Sequence, residues 1–341
     1  MSPTLLQAIG GERTVSNGCE VTGYTKHKYS APGNSVTGML SNGSSVQCDL
    51  LIGSDGINSK VREELVPTLS DPVWSGYTCF AAISNCVPDD IATVGYKVFL
   101  GSRKYFVSVD VGGGRIQWYA FLNLPPNSLS LDGGEACIKF LRDEFDGWSP
   151  EVEQLLGNTP FDQIEQRDLF DRAPEFKWAD GHVCLLGDAV HPMMPNLGQG
   201  GGMAIEDALV LGQELRPELL MRGGPAVPLA LGRYQQNRVV RAAAVQGMSR
   251  ASSAILFQYN HPTIIDLFAE GGPKVSNLGP RSIITRMCQG FMQNIAFPMQ
   301  FEFLFSFPGS LTPKVFSATE SAEDALRNPN FSLKEWINQY W

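Results

Sequence analysis

The stretch GHVCLLGDAVHPMMPNLGQGGGMAIEDAL, Gly181–Leu209, runs from an apolar segment through Gly-Asp and a proline-containing loop into a glycine-rich helix start. Its first part predicts a buried strand that brings one carboxylate, Asp188, to the edge of a sheet. Ligands of open α/β sheets bind at that edge. Gly198 and residues 200–202 leave the backbone N–H groups of a helix N-terminus without side chains around them. Such a terminus favours the binding of an anion or of a ring that gains electron density. The segment therefore predicts a polyol-bearing, redox-active ligand; the alternative is a glycine-rich turn that only packs tightly.

The composition limits the class of protein. With 341 residues, of which 43% are hydrophobic and 18% charged, the chain is long enough for two packed domains or one large one. A net charge of −9 argues against nucleic-acid binding and against attachment to anionic lipid by charge alone. Seven scattered cysteines and four scattered histidines indicate reduced thiols and no metal site. No apolar run is long enough to span a bilayer, and the first residues lack the apolar region of a signal peptide.

The rest of the chain alternates between strand and helix patterns. The Asn42-Gly43 pair predicts a hairpin, and DLLIGSDG after it predicts a buried strand that opens onto a ligand. A helix follows, with Asn58 or Ser59 as its cap. Further predictions are the end of a helix at 4–9, an antiparallel meander over 94–122, helices over 135–157, 203–220 and 228–257, and a polar link at EQRDLFDRAP.

Two of these segments resemble a known family. CLLGDAVHPMMPNLGQGGGMAIEDA resembles the second FAD fingerprint of the aromatic-ring-hydroxylase class (group A) of flavin monooxygenases, and DLLIGSDGINSKVR resembles the Asp-Gly motif of that class. The intervening SGYTCFAAISN, VGYKVFLGSRKYFVSVDVGGGRIQWYAF and RDLFDRAPEFKW resemble the zeaxanthin-epoxidase subgroup of plants and algae. The resemblance covers roughly residues 4–250, which is most of the chain.

The resemblance implies a set of cofactor contacts. Asp188 is expected to hydrogen-bond the ribityl chain of FAD, and the backbone of residues 200–202 to face the N1/O2 side of the isoalloxazine ring. Pro195 is expected beside the ring where oxygen is activated. The cofactor-binding residues so implied are Asp55, Gly56, Gly187, Asp188, Gly200, Gly201, Gly202 and Met203, and the catalytic ones are Pro195, Gly198 and Gln199. No metal ligand is implied.

The resemblance also implies a reaction and a location. FAD, reduced by NADPH or by ferredoxin-derived electrons, would transfer oxygen from a C4a-hydroperoxide to a double bond of a carotenoid-like apolar substrate, with the protein positioning the cofactor. The meander would roof the flavin and line the substrate site. The implied location is the chloroplast, peripheral to the thylakoid membrane.

The fold implied is α/β with some α+β character: an incomplete Rossmann-like FAD-binding domain, an inserted antiparallel β-sheet substrate domain and C-terminal helices. The segments are 1–70 with the Asp-Gly motif, 71–175 for the substrate domain, 176–258 with the Gly-Asp motif and following helices, and 259–341 as a helical, Phe-rich tail.

One part of the family pattern is missing from the sequence. The family opens with a βαβ unit that carries G-x-G-x-x-G, and no such motif occurs here. Three interpretations follow: a piece of a protein whose N-terminal part lies elsewhere, an enzyme of unusual architecture, or a catalytically inactive homologue. The third would serve as a structural or accessory subunit of a plastid membrane (photosynthetic) complex, with a partner chain covering an open sheet edge.

Three further features each admit two interpretations, and for a fourth, Arg172, one is preferred. His191 either lies near the flavin or is a hydrogen-bonded structural histidine. Arg172 is expected in an ion pair at the domain junction. Trp118 and Tyr119 either line a carotenoid-width cavity or pack in the core. The segment Phe291–Gly309, with six phenylalanines, forms either a buried helix pair or a contact patch for a membrane surface or a membrane-complex subunit.

Overall fold

The structure is a computed structural model that describes residues 15–27, 35–66, 71–88, 95–127, 134–221, 226–257, 263–266, 274–277 and 283–306. The strands are β1 Val21–Lys26, β2 Val36–Leu40, β3 Ser45–Cys48, β4 Leu51–Gly53, β5 Val73–Ser84, β6 Tyr96–Gly101, β7 Lys104–Asp110, β8 Ile116–Leu122, β9 Glu165–Asp171, β10 Ala179–Asp180, β11 Val183–Leu185, β12 Thr263–Asp266 and β13 Lys274–Asn277. The α-helices are α1 Lys60–Leu65, α2 Gly134–Glu144, α3 Pro150–Gly157, α4 Gly200–Met221, α5 Val227–Phe257, α6 Ile283–Phe291 and α7 Phe297–Ser306.

A small sheet brings the two fingerprint segments together. Its order is β10-β11-β4, and β11 runs parallel to β4 with Cys184 opposite Ile52. Strand β11 is fully buried, as its apolar sequence predicts, whereas Ile52 of β4 is 40% exposed. Because the strands are parallel, their carboxyl ends meet at one edge, and both fingerprint motifs start there.

A separate antiparallel sheet, β1-β2-β3, precedes β4 in the chain. The predicted hairpin is confirmed between β2 and β3. Asn42 Oδ1 accepts a hydrogen bond from the Ser44 backbone N–H at 2.9 Å, and Gly43 takes a φ of +81°. The Asn-Gly pair forms this turn because its glycine reaches positive φ without a steric penalty.

The largest sheet has five antiparallel strands in the order β6-β7-β8-β5-β9. The predicted meander over 94–122 is confirmed as β6, β7 and β8. The prediction of a polar link at EQRDLFDRAP is wrong, because its first seven residues form β9 and pair with β5. As an edge strand, β9 exposes much of its polar side-chain surface, so its sequence lacks the apolar alternation that marks a strand.

The two faces of this sheet differ in what covers them. Trp118 and Phe106 belong to an apolar cluster that also includes residues of α2 and α3, and the Trp118 indole N–H donates to Thr159 Oγ1 at 2.8 Å. On the opposite face Tyr105 stacks on Phe121 with ring centroids 4.2 Å apart, and Tyr119 is partly exposed. Trp118 is therefore a core residue, whereas Tyr119 lies on the face that carries the second aromatic cluster.

The predicted helices are confirmed with shifted bounds. The helical stretch 135–157 is two helices, α2 and α3, because Ser149 caps a new helix whose first residue is Pro150. Ser59, one of the two predicted caps, accepts from the Arg62 N–H at 2.9 Å at the start of α1. Helices α4 and α5 correspond to the predictions over 203–220 and 228–257. The Tyr234 hydroxyl of α5 donates to the Leu185 carbonyl at 3.0 Å and fastens this helix to β11.

The C-terminal part continues through the hairpin β12–β13 to α6, a π-helical segment Met292–Ala296, and α7. Arg241 of α5 donates to the Leu304 carbonyl at 3.1 Å, so α7 packs on α5. None of the helices in the described ranges has the length and apolar character required to cross a bilayer. The predicted helix end at 4–9 and the residues after Ser306 lie outside the described residues.

Candidate functional site

The Gly-Asp turn follows β11 directly. Gly187 begins a single 3-10 turn, Gly187–Ala189, with a φ of +62° that L-residues other than glycine rarely adopt. A Cβ added at Gly187 would lie 3.2 Å from the Ala204 Cβ of α4. Glycine is thus required twice, by the backbone conformation and by the close approach of the helix.

This turn presents the carboxylate of Asp188 outward. Asp188 is exposed and makes no hydrogen bond or salt bridge to another described residue. Partial burial of its carboxyl group raises its pKa above the usual value, and the nearby imidazole of His191 opposes that shift. A carboxylate that reaches the surface at a sheet edge without a protein partner is suited to accept hydrogen bonds from a ligand.

The glycine-rich segment forms the first turn of α4. Gly198 closes the preceding 3-10 turn, Pro195–Leu197, in the left-handed conformation with a φ of +62°. The position of a Cβ on Gly200 lies 4.0 Å from Asp188 Oδ1, and one on Gly201 would meet nothing within 4 Å. The structure thus brings the exposed carboxylate beside a helix start whose first three residues carry no side chains.

The remaining predicted residues of this segment differ in their exposure. Pro195 is exposed, and Gln199 is half-buried with its Nε2 donating to the Leu197 carbonyl at 3.2 Å. Gly202 is exposed, whereas the side chain of Met203 is fully buried in the core. The Met203 backbone N–H donates to the Gln199 carbonyl at 2.8 Å, so a contact of Met203 with a cofactor stays a prediction.

The Asp-Gly motif lies at the same sheet edge. Leu186, just before the Gly-Asp turn, donates its N–H to the Gly53 carbonyl at 2.9 Å. Asp55 Oδ2 accepts from the backbone N–H of Lys60 at 2.8 Å, so this carboxylate helps to cap α1. Gly56, between Asp55 and the start of α1, takes a φ of +79°. The direct contact of Asp55 and Gly56 with a cofactor stays a prediction.

Two buried arginines hold the motifs in place. The Arg62 guanidinium of α1 is 1% exposed and donates from Nη1 to the carbonyls of Ala189 and Val190, at 3.4 and 3.5 Å. Arg172 donates from Nε to the Ile57 carbonyl at 3.1 Å. Burial, reinforced by the charge of Arg172, lowers the pKa of Arg62. Nothing in the sequence pattern of α1 marks Arg62 as a residue that links the two motifs.

Asp171, next to Arg172, forms an ion pair at this junction. It accepts from Arg250 Nε at 2.8 Å. The Gln246 amide of α5 bridges the Arg172 and Pro192 carbonyls, at 2.8 Å each. The strand β9, the loop after the Gly-Asp turn and α5 are thus joined by polar contacts near the candidate site.

A buried ionic cluster joins the turn to α4 and α5. His191 Nε2 lies 2.5 Å from Asp207 Oδ2, and the histidine is 1% exposed, which confirms the interpretation of His191 as a hydrogen-bonded structural residue. Arg238 Nε donates to Asp207 Oδ1 at 2.8 Å. Burial acts to raise the pKa of Asp207, but the hydrogen bond from His191 and the charge of Arg238 outweigh it and hold the pKa below its usual value.

Sequence reasoning missed Asp207 and Arg238, although a signal existed. Asp207 stands on the buried stripe of α4, four residues after Met203 and four before Leu211. Arg238 follows the buried Tyr234 of α5 at the same spacing. A charged side chain on an apolar helical stripe requires a buried partner of opposite charge.

Comparisons with known proteins identify this arrangement. Residues 148–249 match the FAD binding domain family. Chloroplastic zeaxanthin epoxidase of an Oncidium hybrid cultivar is 48% identical over 231 residues, which is 67% of this chain and 34% of that protein. The Arabidopsis thaliana zeaxanthin epoxidase is 36% identical over 338 residues, covering 95% of this chain and 48% of that protein. A variant of Klebsiella pneumoniae HpxO, solved as a complex with FAD, superimposes with a TM-score of 0.66 at 28% identity, covering 74% of this chain and 63% of that one.

Residues 148–249 belong to the FAD binding domain family, and the chain is homologous to FAD-dependent monooxygenases of the aromatic-hydroxylase class. The predicted fold class, α/β with a Rossmann-like FAD-binding part and an antiparallel sheet, is confirmed. The chain spans about a third to a half of the length of the curated relatives it matches. The division into four segments stays a prediction.

The candidate site fits the cofactor of that class. FAD carries a polyol chain and a ring that becomes electron-rich on reduction. Asp188 offers an acceptor for hydroxyl groups that no described residue bonds, and the glycines at the start of α4 offer backbone N–H groups without side chains in front of them. No group of three or more metal-ligating side chains is present among the residues that the structure describes.

Proposed function

We propose that this chain is the substrate-binding and flavin-binding part of an FAD-dependent monooxygenase related to zeaxanthin epoxidase, located in the plastid. In this proposal Asp188 accepts hydrogen bonds from the ribityl chain, and the backbone of residues 200–202 supports the ring. The bound FAD supplies redox and oxygen-transfer chemistry. Pro195, Gly198 and Gln199 border the ring, and the face of the large sheet on which Tyr119 is partly exposed shields an apolar, carotenoid-like substrate from water.

The observation that carries this proposal is the position of Asp188. Its carboxylate is exposed, has no described protein partner, and stands 4.0 Å from the Cβ position of Gly200 on a bare helix start. A glycine-rich turn that served only for tight packing would not require an exposed carboxylate beside it. The arrangement instead pairs an acceptor for hydroxyl groups with donors for an electron-rich ring.

The proposal is tested by the visible absorption spectrum of the chain after incubation with excess FAD and desalting. We expect a retained flavin band, and its loss in Asp188→Ala. Glu153→Ala is the matched control, because Glu153 is an exposed acid on α3 in the sheet domain and its removal changes the net charge equally. The control should retain FAD like the unmodified chain.

Each outcome decides between functions. Equal retention by Asp188→Ala and the control would show that the ribityl contact is placed wrongly. A folded but colourless unmodified chain would favour a catalytically inactive homologue that acts as a structural or accessory subunit. If FAD is retained, its reduction rate with NADPH and with reduced ferredoxin identifies the electron donor.

We further propose that the C-terminal helices contact a lipid surface, peripheral to the thylakoid membrane. Five exposed apolar residues recur every fourth position along α6, the π-helical segment and α7, and we call them the apolar stripe: Ile283, Met287, Phe291, Ile295 and Met299. Their exposed fractions run from 47% to 77%. Residues 287–301 contain no charged side chain.

The size and charge of the apolar stripe favour a bilayer over a second protein. Seventeen helical residues at about 1.5 Å each, about 10 Å wide, give about 250 Å², far below the roughly 800 Å² per partner of a stable protein interface. Insertion into the headgroup region requires only such a narrow apolar face. Because the chain carries a net charge of −9, we expect uncharged lipid to be preferred over anionic lipid.

Flotation with vesicles of uncharged lipid tests this surface. The triple variant Met287→Ser, Phe291→Ser, Met299→Ser should lose vesicle binding. The matched control substitutes three other exposed apolar residues, Val73, Phe170 and Phe176, with serine and should bind like the unmodified chain. Equal binding by both variants, or a dimer that only the first variant abolishes, would overturn the assignment to lipid.

A further inference from the structure

One buried carboxylate ties the Gly-Asp turn to helix α4. Asp207 is 0% exposed, and its Oδ2 accepts from the Gly187 backbone N–H at 3.0 Å and lies 2.5 Å from His191 Nε2. Its Oδ1 accepts from Arg238 Nε at 2.8 Å. Both oxygens are therefore bonded inside the protein, and Asp207 acts through its neighbours rather than on a ligand.

These bonds fix the backbone on both sides of Asp188. Gly187 is held through its N–H by Asp207, and its carbonyl accepts from the N–H groups of Val190 and His191 at 2.9 and 3.0 Å. The side chain of His191 returns to the same Asp207 oxygen. Asp188 thus lies between Gly187 and His191, and Oδ2 of Asp207 bonds to both of them.

We propose that Asp207 is a positioning residue of the cofactor site, which sets the direction of the Asp188 side chain by fixing both ends of its turn. This inference rests on the proposed function, because it presumes that Asp188 contacts the cofactor. The effect is expected on affinity, since a turn released from Asp207 would have to be ordered when the ligand binds.

Glu206, the preceding residue, offers a matched control. Glu206 accepts from Arg241 Nε and Nη2, both at 2.7 Å, and from Arg238 Nη1 at 2.6 Å. It therefore joins the same two helices, through ion pairs in which its own side chain is 35% exposed. Among the described residues, the side chain of Glu206 bonds only to these arginines, so neutralising it weakens the α4–α5 contact without releasing the Gly187 turn.

The experiment compares Asp207→Asn with Glu206→Gln by two measurements. The first is the FAD dissociation constant, from flavin fluorescence. The second is the hydrogen-exchange rate of the Gly187 amide without FAD, from NMR of glycine-labelled protein. We expect Asp207→Asn to weaken FAD binding about tenfold and to accelerate Gly187 exchange, and Glu206→Gln to change the dissociation constant by less than about twofold.

The possible results separate this inference from the proposed function. Equal losses of affinity in both variants, or an Asp207→Asn protein with native affinity and a protected Gly187 amide, would overturn the positioning role. If the unmodified chain binds no FAD, the proposed function fails, and the Gly187 exchange rate still decides whether Asp207 holds the turn.

A second variant covers the case in which Asp207→Asn does not fold. His191→Gln keeps the bond between Gly187 and Asp207 but removes the imidazole that holds the far end of the turn. We expect a folded protein with a smaller loss of FAD affinity than Asp207→Asn would show. Unchanged affinity and unchanged Gly187 exchange in this variant would also overturn the inference.

Discussion

Replacing Gly201 with alanine should change stability and cofactor affinity in opposite directions. Gly201 is the second residue of α4, is exposed, and would place a Cβ in open space. Alanine therefore adds no clash and removes backbone freedom from the unfolded chain. Glycine within a helix costs about 0.5–1 kcal/mol relative to alanine, and the first turn should take the lower end, so we expect a gain of about 0.5 kcal/mol without FAD.

The same methyl group should weaken FAD binding. It would stand on the bare turn where the isoalloxazine ring is proposed to lie, one residue from Gly200, whose Cβ position is 4.0 Å from Asp188 Oδ1. A ring in van der Waals contact with this backbone, at about 3.5–4 Å, has no room for an added carbon. We expect the dissociation constant to rise about tenfold, which corresponds to about 1.4 kcal/mol.

Urea unfolding followed by far-UV circular dichroism, without FAD, measures the first effect, and a flavin fluorescence titration measures the second. Gly247→Ala is the control, since Gly247 is an exposed residue inside α5 that also has open space around its Cβ position. It should stabilise the protein by at least as much, because it lies inside its helix, and leave affinity unchanged. A Gly201→Ala protein that binds FAD within about twofold of the unmodified chain would refute the placement of the ring on this turn, and one that is less stable would refute the steric argument.

Three further predictions concern stability. Gly187→Ala should destabilise the chain by about 1–2 kcal/mol in urea, because it forces alanine into the left-handed region and against Ala204; an unchanged midpoint would contradict this. The free energy of unfolding should fall as the pH drops below about 4.5, because the ion pairs of Asp207 and Glu206 lower the pKa of each carboxyl group in the folded protein. Their contribution to stability is fully present above the pKa values of the unfolded chain and is lost as the folded carboxylates become protonated. Glu206→Gln should make the free energy of unfolding depend less steeply on pH. Ser59→Ala should cost about 1 kcal/mol by removing the cap of α1, and thermal unfolding with Ser59→Thr as a capping control checks it.

Local patterns in the sequence were sufficient for the elements around the Gly-Asp segment. An apolar run, Gly187, Asp188 and a glycine series predict a strand, a turn and a helix because each depends on neighbours within a few residues. The hairpin at Asn42-Gly43 and the meander were predictable for the same reason. The edge strand β9 was not, because its pairing with β5 joins residues about ninety positions apart, such as Thr78 and Asp168.

What the sequence by itself determined is the kind of site: one carboxylate at the end of a buried strand, followed by a side-chain-free helix start. Only the tertiary structure decided which residues hold that site in shape. Arg62 of α1 donates to the Ala189 carbonyl of the Gly-Asp turn, 127 positions away. Asp207 of α4 accepts from the Gly187 N–H of the same turn, and it lies there only because α4 packs on β11 and α5. The periodicity of α4 marks Asp207 as buried, but its partners are fixed by packing between elements, because a buried charge takes whichever opposite charge and N–H group the fold brings within hydrogen-bonding distance.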